Sequence, residues 1–73
     1  MDSEKIRYNR IKAYLALKNK SNKSLAAHLE VSVQTVSKWC TNYSQPSLPE
    51  LYKIAEFLEV DVTELLEPMK AKD

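Results

Sequence analysis

The sequence contains no glycine, only one cysteine and only one histidine among its 73 residues. Without glycine, the chain cannot form the Gly-rich loops that cradle phosphates or dinucleotides. One cysteine cannot form an internal disulfide, and one cysteine with one histidine falls short of the four ligands of a structural zinc site. We therefore expect no cofactor and no metal ion, and we expect a cytoplasmic protein with a reduced thiol.

Long apolar segments are also missing. The longest uninterrupted apolar run, Ala13 to Leu17, has five residues, whereas a membrane-spanning helix needs ~20. A domain of this size buries only ~60% of the surface of its unfolded chain, which leaves little interior for an enclosed catalytic cleft. No convergent set of acid, base and nucleophile is apparent, so we expect that the protein is not an enzyme.

The charge is small in total but uneven along the chain. Residues 1–44 carry eight basic and three acidic side chains, a sum of +5, and residues 45–73 carry three basic and seven acidic ones, a sum of −4. Together they give the net charge of +1. This asymmetry predicts a first half that binds a polyanion and an acidic half that faces elsewhere.

Apolar residues recur at helical spacing through most of the chain, which predicts an all-α fold. We expect a first helix from about Ser3 to Asn19. Ser21 is a suitable N-cap for a second helix ending at Leu29, and Ser32 for a third helix from Val33 to about Cys40.

Two later segments have the spacing of a capping box, in which a Ser or Asp cap is followed three residues later by Glu. Ser47 and Glu50 open a fourth helix. Asp61 and Glu64 open a short fifth helix, which holds Leu65 and Leu66 and stops at Pro68. Residues 1–68 then form one domain, and residues 69–73 form a tail. A strand at 31–36 or 60–62, where β-branched residues cluster, is the local alternative, but both stretches are short and isolated.

The third helix has a divided surface. At 100° per residue, Val36, Trp39 and Cys40 share one side. The other side carries an amide, hydroxyls and an ammonium group but no acid, and its members are Gln34, Ser37, Lys38 and Thr41. An amide can bond an adenine edge at two points, and an ammonium group can reach guanine or a phosphate. This arrangement is what a helix-turn-helix requires to enter the major groove of double-stranded DNA.

Further donors to DNA phosphates lie on either side of this helix. Asn22 and Lys23 are in the first turn of the second helix, where free N–H groups and the helix dipole favour an anion. The polar loop 41–44, which includes Tyr43, adds further donors next to the third helix.

The segment NKSLAAHLEVSVQTVSKW at 22–39, followed by QPSL at 45–48 and the apolar pattern up to Leu66, resembles the Xre family of phage-repressor-like helix-turn-helix domains. The resemblance covers about residues 9–66. It implies a compact five-helix lambda-repressor-like DNA-binding domain that usually acts as a dimer. It also implies that the base-reading residues are Val33, Gln34, Ser37 and Lys38.

By the same resemblance, Asn22 contacts a phosphate and braces the reading helix, and Thr41, Asn42 and Tyr43 contact the DNA backbone. The sequence departs from the family at three positions. The family usually has Gly where Glu30 and Asn42 stand, and commonly Glu where Cys40 stands. A left-handed Glu30 is strained by ~1 kcal/mol relative to Gly, whereas Asn tolerates that conformation better.

Each of these features also has a plainer interpretation. The outer face of the third helix could be an ordinary solvated surface, and Trp39 is expected to anchor packing. Tyr14, Tyr52 and Phe57 are expected in the core or an interface. Cys40 and His28 could be a nucleophile and its base, but no third group that would orient the base is evident.

Two hypotheses result. The first is a sequence-specific transcriptional regulator, a repressor or autoregulator, that binds operator half-sites as a homodimer. Candidate dimer residues are Phe57, Leu58, Val60, Val62 and Leu66. The alternative is an antitoxin that mainly binds a toxin or another protein partner, which the acidic second half suggests.

Overall fold

The computed structural model describes residues 7–69, which form a small helical domain with a Cα radius of gyration of 12.5 Å. Four α-helices are followed by one 3₁₀ helix. Among the described residues, no helix is long and apolar enough to cross a membrane. The α-helices are α1 (Ile11–Leu17), α2 (Asn22–Leu29), α3 (Val33–Cys40) and α4 (Leu48–Leu58), and the 3₁₀ helix spans Val62–Leu65.

The first helix is shorter than predicted. The expected range began at Ser3, and its residues 3–6 lie outside the described part of the chain. Residues 7–10 are not helical, because their backbone pairs with the C-terminal segment instead. The N–H of Arg10 donates to the carbonyl of Leu65 at 2.8 Å, and the N–H of Glu67 donates to the carbonyl of Tyr8 at 2.9 Å.

The predictions for α2, α3 and α4 are confirmed, including their caps. The Oγ atoms of Ser21, Ser32 and Ser47 each accept a hydrogen bond from the backbone N–H three residues later. Ser47 and Glu50 form the predicted capping box. The stretches 31–36 and 60–62 form no strand in the described chain, which leaves the helical interpretation in place.

The predicted fifth α-helix is instead the 3₁₀ helix, and its predicted capping box is absent. Asp61 Oδ1 accepts hydrogen bonds from the backbone N–H and the hydroxyl of Thr63 at 2.9 and 2.8 Å. These bonds lower the pKa of Asp61, and the bond from the backbone N–H has the larger effect. The carboxylate of Glu64 accepts a hydrogen bond from the Tyr14 hydroxyl at 3.3 Å. Leu66 leaves the helix to bridge Asn9, and its side chain is 42% exposed.

The core lies where the four α-helices and the 3₁₀ helix meet. The α2 helix packs on both α3 and α4, α1 packs on α3, and the 3₁₀ helix packs on α4. Of the two places expected for Tyr52, a core or an interface, the core is excluded, since its side chain is 55% exposed. Trp39 is buried, as expected of a packing anchor. The buried apolar residues are Ile11, Leu15, Leu25, Ala26, Val36, Trp39, Cys40, Leu51, Ile54, Ala55, Leu58 and Leu65.

Left-handed backbone occurs at four described residues in a chain that has no glycine. Glu30 (φ 60°) and Asn42 (φ 62°) confirm the two predicted positions. Asn19 and Glu59 were not predicted. Glu30 ends α2 and Glu59 ends α4 in the same way, and the N–H of each reaches back to the carbonyl groups of the preceding turn. Each glutamate therefore occupies a helix-terminating position that favours glycine.

Candidate nucleic-acid interface

The outward face of α3 brings together the four residues that the resemblance implies as base readers. Val33, Gln34, Ser37 and Lys38 are all exposed, and Val33 is 43% exposed. The opposite side of the helix is buried, with Val36 at 0% and Trp39 at 3% exposure. Because the apolar side holds the helix against the core, the polar side is presented as a fixed surface.

The start of α3 is fixed by its cap. Ser32 Oγ accepts a hydrogen bond from the backbone N–H of Thr35 at 3.0 Å and pairs with the Thr35 hydroxyl at 2.9 Å. The hydrogen bonds of the cap involve only Ser32 and Thr35, so they do not use the side chains of the outward face. Val33 and Gln34 lie in the first turn that this cap sets.

The first turn of α2 lies beside the last turn of α3. The thiol of Cys40 donates a hydrogen bond to Oδ1 of Asn22 at 3.5 Å. Burial raises the pKa of the Cys40 thiol, and the positive charge of Lys12 partly opposes this effect. A protonated thiol is the form that can donate this hydrogen bond. Asn22 is half-buried, whereas its neighbour Lys23 is exposed.

The start of α2 is a reciprocal cap made by two serines. The N–H of Ser24 donates to Ser21 Oγ at 3.0 Å, and the N–H of Ser21 donates to Ser24 Oγ at 3.1 Å. Ser24 takes the place that Glu or Gln usually has in a capping box. The first turn of α2 is therefore fixed without an acidic side chain, which leaves its positive dipole end free of a nearby carboxylate.

The loop after α3 places a contact between a cation and an aromatic ring at the interface. Tyr43 is 76% exposed, and Nζ of Lys38 lies 5.8 Å from the centroid of its ring. The hydroxyl of Thr41 donates to the carbonyl of Lys38 at 3.2 Å. Lys38, Thr41 and Tyr43 thus form one patch at the C-terminal end of α3.

Asn42 differs from the other loop residues, because it is buried and its amide is used internally. Its Oδ1 accepts hydrogen bonds from the backbone N–H groups of Tyr8 at 2.8 Å and Asn9 at 2.9 Å. Its Nδ2 donates to the carbonyl of Asn9 at 3.1 Å. The side chain implied as a DNA-backbone contact is thus engaged with the segment before α1, and it does not extend the polar surface of Thr41 and Tyr43.

Sequence reasoning missed Asn9, which completes this amide cluster and is 2% exposed. Its Nδ2 donates to Gln45 Oε1 at 2.7 Å and to the carbonyl of Trp39 at 3.0 Å, and its Oδ1 accepts from the N–H of Ile11 at 3.0 Å. The one feature of the sequence that points to this cluster is Asn42, at a position where the Xre family usually has Gly. The cluster holds the end of α3 and its loop to the start of α1.

Two comparisons with known proteins found similar chains. A sequence profile described as helix-turn-helix matches residues 11–65. The chain is also similar to a crystal structure of a candidate DNA-binding protein from Bacteroides fragilis, with 49% identity and a TM-score of 0.80. That similarity covers 81% of this chain and 95% of the other. No curated protein sequence matches the chain. The profile match contains all of α1 to α4 and the full outward face of α3.

Proposed function

Because the chain belongs to the Xre-like helix-turn-helix family, we propose that it regulates transcription by binding specific double-stranded DNA sequences through α3. The observation that carries the proposal is the outward face of α3, which has no acidic residue and lies opposite a buried apolar side. On this face Gln34 suits an adenine edge, Lys38 suits guanine acceptors, and Val33 suits the methyl group of thymine. Ser37 can bond to either a donor or an acceptor on a base.

Contacts to DNA phosphates frame this face. Lys23 is exposed in the first turn of α2, and Asn22 lies beside it with its Oδ1 held by the Cys40 thiol. Thr41 and Tyr43 are exposed after α3. These residues supply the charge and the donors that position a reading helix without reading sequence. Asn42 contributes by holding the loop, since its amide is bonded to the segment before α1.

The proposal includes a homodimer on two operator half-sites. One helix contacts only a few base pairs, and at ~1–3 kcal/mol per mismatched pair it discriminates weakly against a genome of non-specific sites. Two copies on half-sites ~34 Å apart multiply that discrimination. A dimer that covers an operator also blocks other proteins from it, which is the simplest route to repression.

The exposed apolar surface of α4 supports a dimer contact there. Leu48 is 66% exposed and Tyr52, one turn later, is 55% exposed. A shallow groove of ≈380 Å³ continues this surface past Val60 and Val62. Leu58, one of the residues suggested for the dimer by the sequence, is 1% exposed and belongs to the core instead.

The antitoxin alternative receives less support. The similar crystal structure is described by DNA binding, and nothing in that description concerns a protein partner. The acidic residues that suggested such a partner include Asp61, which caps the 3₁₀ helix, and Glu64, which bonds the Tyr14 hydroxyl. These two carboxylates therefore have structural roles within the domain.

Selection of bound sequences from a random pool of duplex DNA tests the proposal. We expect a palindromic consensus with half-sites about one helical turn apart. The matched control is a chain carrying Gln34→Ala and Lys38→Ala, which should lose the consensus while it still binds DNA weakly. No enrichment with the unchanged chain would contradict DNA reading, and an unpaired consensus would contradict the dimer.

A further inference from the structure

A groove of ≈350 Å³ lies between the first helix and the end of the reading helix. Part of its lining is small or apolar, from Ala13, Ala16 and Cys40. The remainder is mainly charged or polar, from Arg7, Asn9, Arg10, Lys12 and Glu67. None of the basic residues in this lining belongs to the phosphate contacts described above.

The groove has a positive balance of charge. Among the described residues that line it, three cationic side chains and the carboxylate of Glu67 sum to +2. Nε of Arg10 is buried and has no hydrogen-bond acceptor within residues 7–69. A buried guanidinium donor of this kind costs free energy unless an acceptor is supplied. The field of Lys12 also reaches the wall of the groove, where it acts on the Cys40 thiol.

The position of the groove connects it to the proposed DNA contacts. Cys40 lines the groove and also donates its hydrogen bond to Asn22 in the first turn of α2. One side chain therefore separates the groove from the helix terminus proposed to hold a phosphate. The volume is enough for a phosphate group with its water, since liquid water takes ~30 Å³ per molecule.

We infer that this basic groove binds a phosphate of the duplex backbone, so that Arg7, Arg10 and Lys12 extend the phosphate contacts from α2 to the segment before α1 and to its first turn. The inference rests on the proposed function. Arginine presents a planar fork of N–H donors that suits phosphate oxygens, and lysine supplies a compact charge. A neutral ligand would leave the cations unpaired, which is why an anion fits better.

The test measures how affinity for duplex DNA depends on salt in chains carrying Lys12→Gln or Arg7→Gln. Each lost phosphate contact should reduce the slope of log K against log [salt] by ~0.9, which is about an eight-fold loss of affinity at ~0.1 M salt. Lys53→Gln is the matched control, because it removes the same charge from an exposed position on α4. An unchanged slope in both groove variants overturns the inference.

Glu67, whose carboxylate lines the groove, provides a second test in which the affinity for DNA should rise rather than fall. Glu67→Gln should increase affinity for all duplex sequences alike, whereas Glu59→Gln, at an exposed position that lines neither groove, should not. A gain that is equal in the two variants overturns the inference. Thermal unfolding of every variant shows that it is folded.

Two further outcomes separate this inference from the proposed function. If the unchanged chain selects a consensus but the groove variants keep its salt slope, only the inference fails. If the unchanged chain binds no duplex, both fail. Titration with inorganic phosphate, followed by the NMR amide shifts of Ala13 and Ala16, identifies the source of the anion. Saturable shifts with inorganic phosphate, and none with duplex, would overturn the DNA assignment.

Discussion

Asn9 and Asn42 are joined at two points, although 33 residues separate them in the sequence. The N–H of Asn9 donates to Asn42 Oδ1 at 2.9 Å, and Nδ2 of Asn42 donates back to the carbonyl of Asn9 at 3.1 Å. The loop that follows the reading helix is therefore tied to the backbone before α1. Since Asn42 has left-handed backbone, this residue forms the turn after α3 and also makes the hydrogen bonds that hold the loop.

Asn42→Gly should destabilise the domain even though glycine suits the backbone at that position. The substitution leaves the N–H groups of Tyr8 and Asn9 without their acceptor, and a buried unpaired polar group costs about 1–3 kcal/mol. Urea unfolding measures the loss. A variant as stable as the unchanged chain would show that water or another group replaces the amide at no cost.

Glu30→Gly should have the opposite effect. Glu30 has the same left-handed backbone but is exposed. Relief of the steric cost should outweigh the greater entropy of glycine in the unfolded chain and increase the free energy of unfolding by about 0.5–1 kcal/mol. Glu59→Gly, at the equivalent end of α4, is the matched control and should behave alike. A lower melting temperature in both would contradict this account of the turn.

Lys38→Ala and Lys23→Ala remove the same charge but should have different effects on DNA binding. Lys38 lies on the outward face of α3, so its loss should weaken binding to the selected consensus more than binding to random duplex, by about 1–3 kcal/mol. Lys23 lies at the start of α2, so its loss should weaken both alike and reduce the salt slope by about one ion. Fluorescence anisotropy with both duplexes measures the difference. Equal effects of the two substitutions would exclude base reading by Lys38.

Leu48→Glu should shift the proposed dimer towards the monomer. Leu48 and Tyr52 form an exposed apolar surface on α4, and a buried unpaired carboxylate in an interface is strongly unfavourable. Leu17→Glu is the control, because Leu17 is 72% exposed at the end of α1. Sedimentation equilibrium and the size of the DNA complex report the state. A dimer that tolerates Leu48→Glu and breaks with Leu17→Glu would place the interface on α1.

Asp61→Ala should make the domain less stable at neutral pH and have less effect as the pH falls. Hydrogen bonds from Thr63 hold the pKa of Asp61 below its ordinary value, so the folded state favours the ionised carboxylate. The stabilisation is present above the unfolded-state pKa and is lost as the pH falls through the lower folded-state pKa. Melting temperatures between pH 7 and acid conditions provide the measurement, with Glu64→Gln as a second variant. A difference independent of pH would contradict a role for the ionised cap.

Much of the local structure could be predicted because it depends on neighbours in the chain. Ser21, Ser32 and Ser47 are caps whose partners lie three residues away. The divided surface of α3 likewise depends only on helical periodicity, and it is the feature from which DNA binding was predicted. The prediction of a capping box at the short fifth helix was wrong. The side chain of Asp61 accepts its hydrogen bond from Thr63, two residues later, and the segment is a 3₁₀ helix.

The helical class, the serine caps, the core pattern and the polar face of α3 follow from the order of the amino acids, since each is set by spacing of a few residues. The pairing of residues 7–10 with residues 65–67, which replaces an extension of α1, depends instead on the packing of distant segments. That packing also brings Asn42 onto Asn9, joins Cys40 to Asn22, and places Arg7, Arg10 and Lys12 with Cys40 around one groove. These relationships join residues 18 or more positions apart. No local periodicity encodes them, because they arise only when the helices pack.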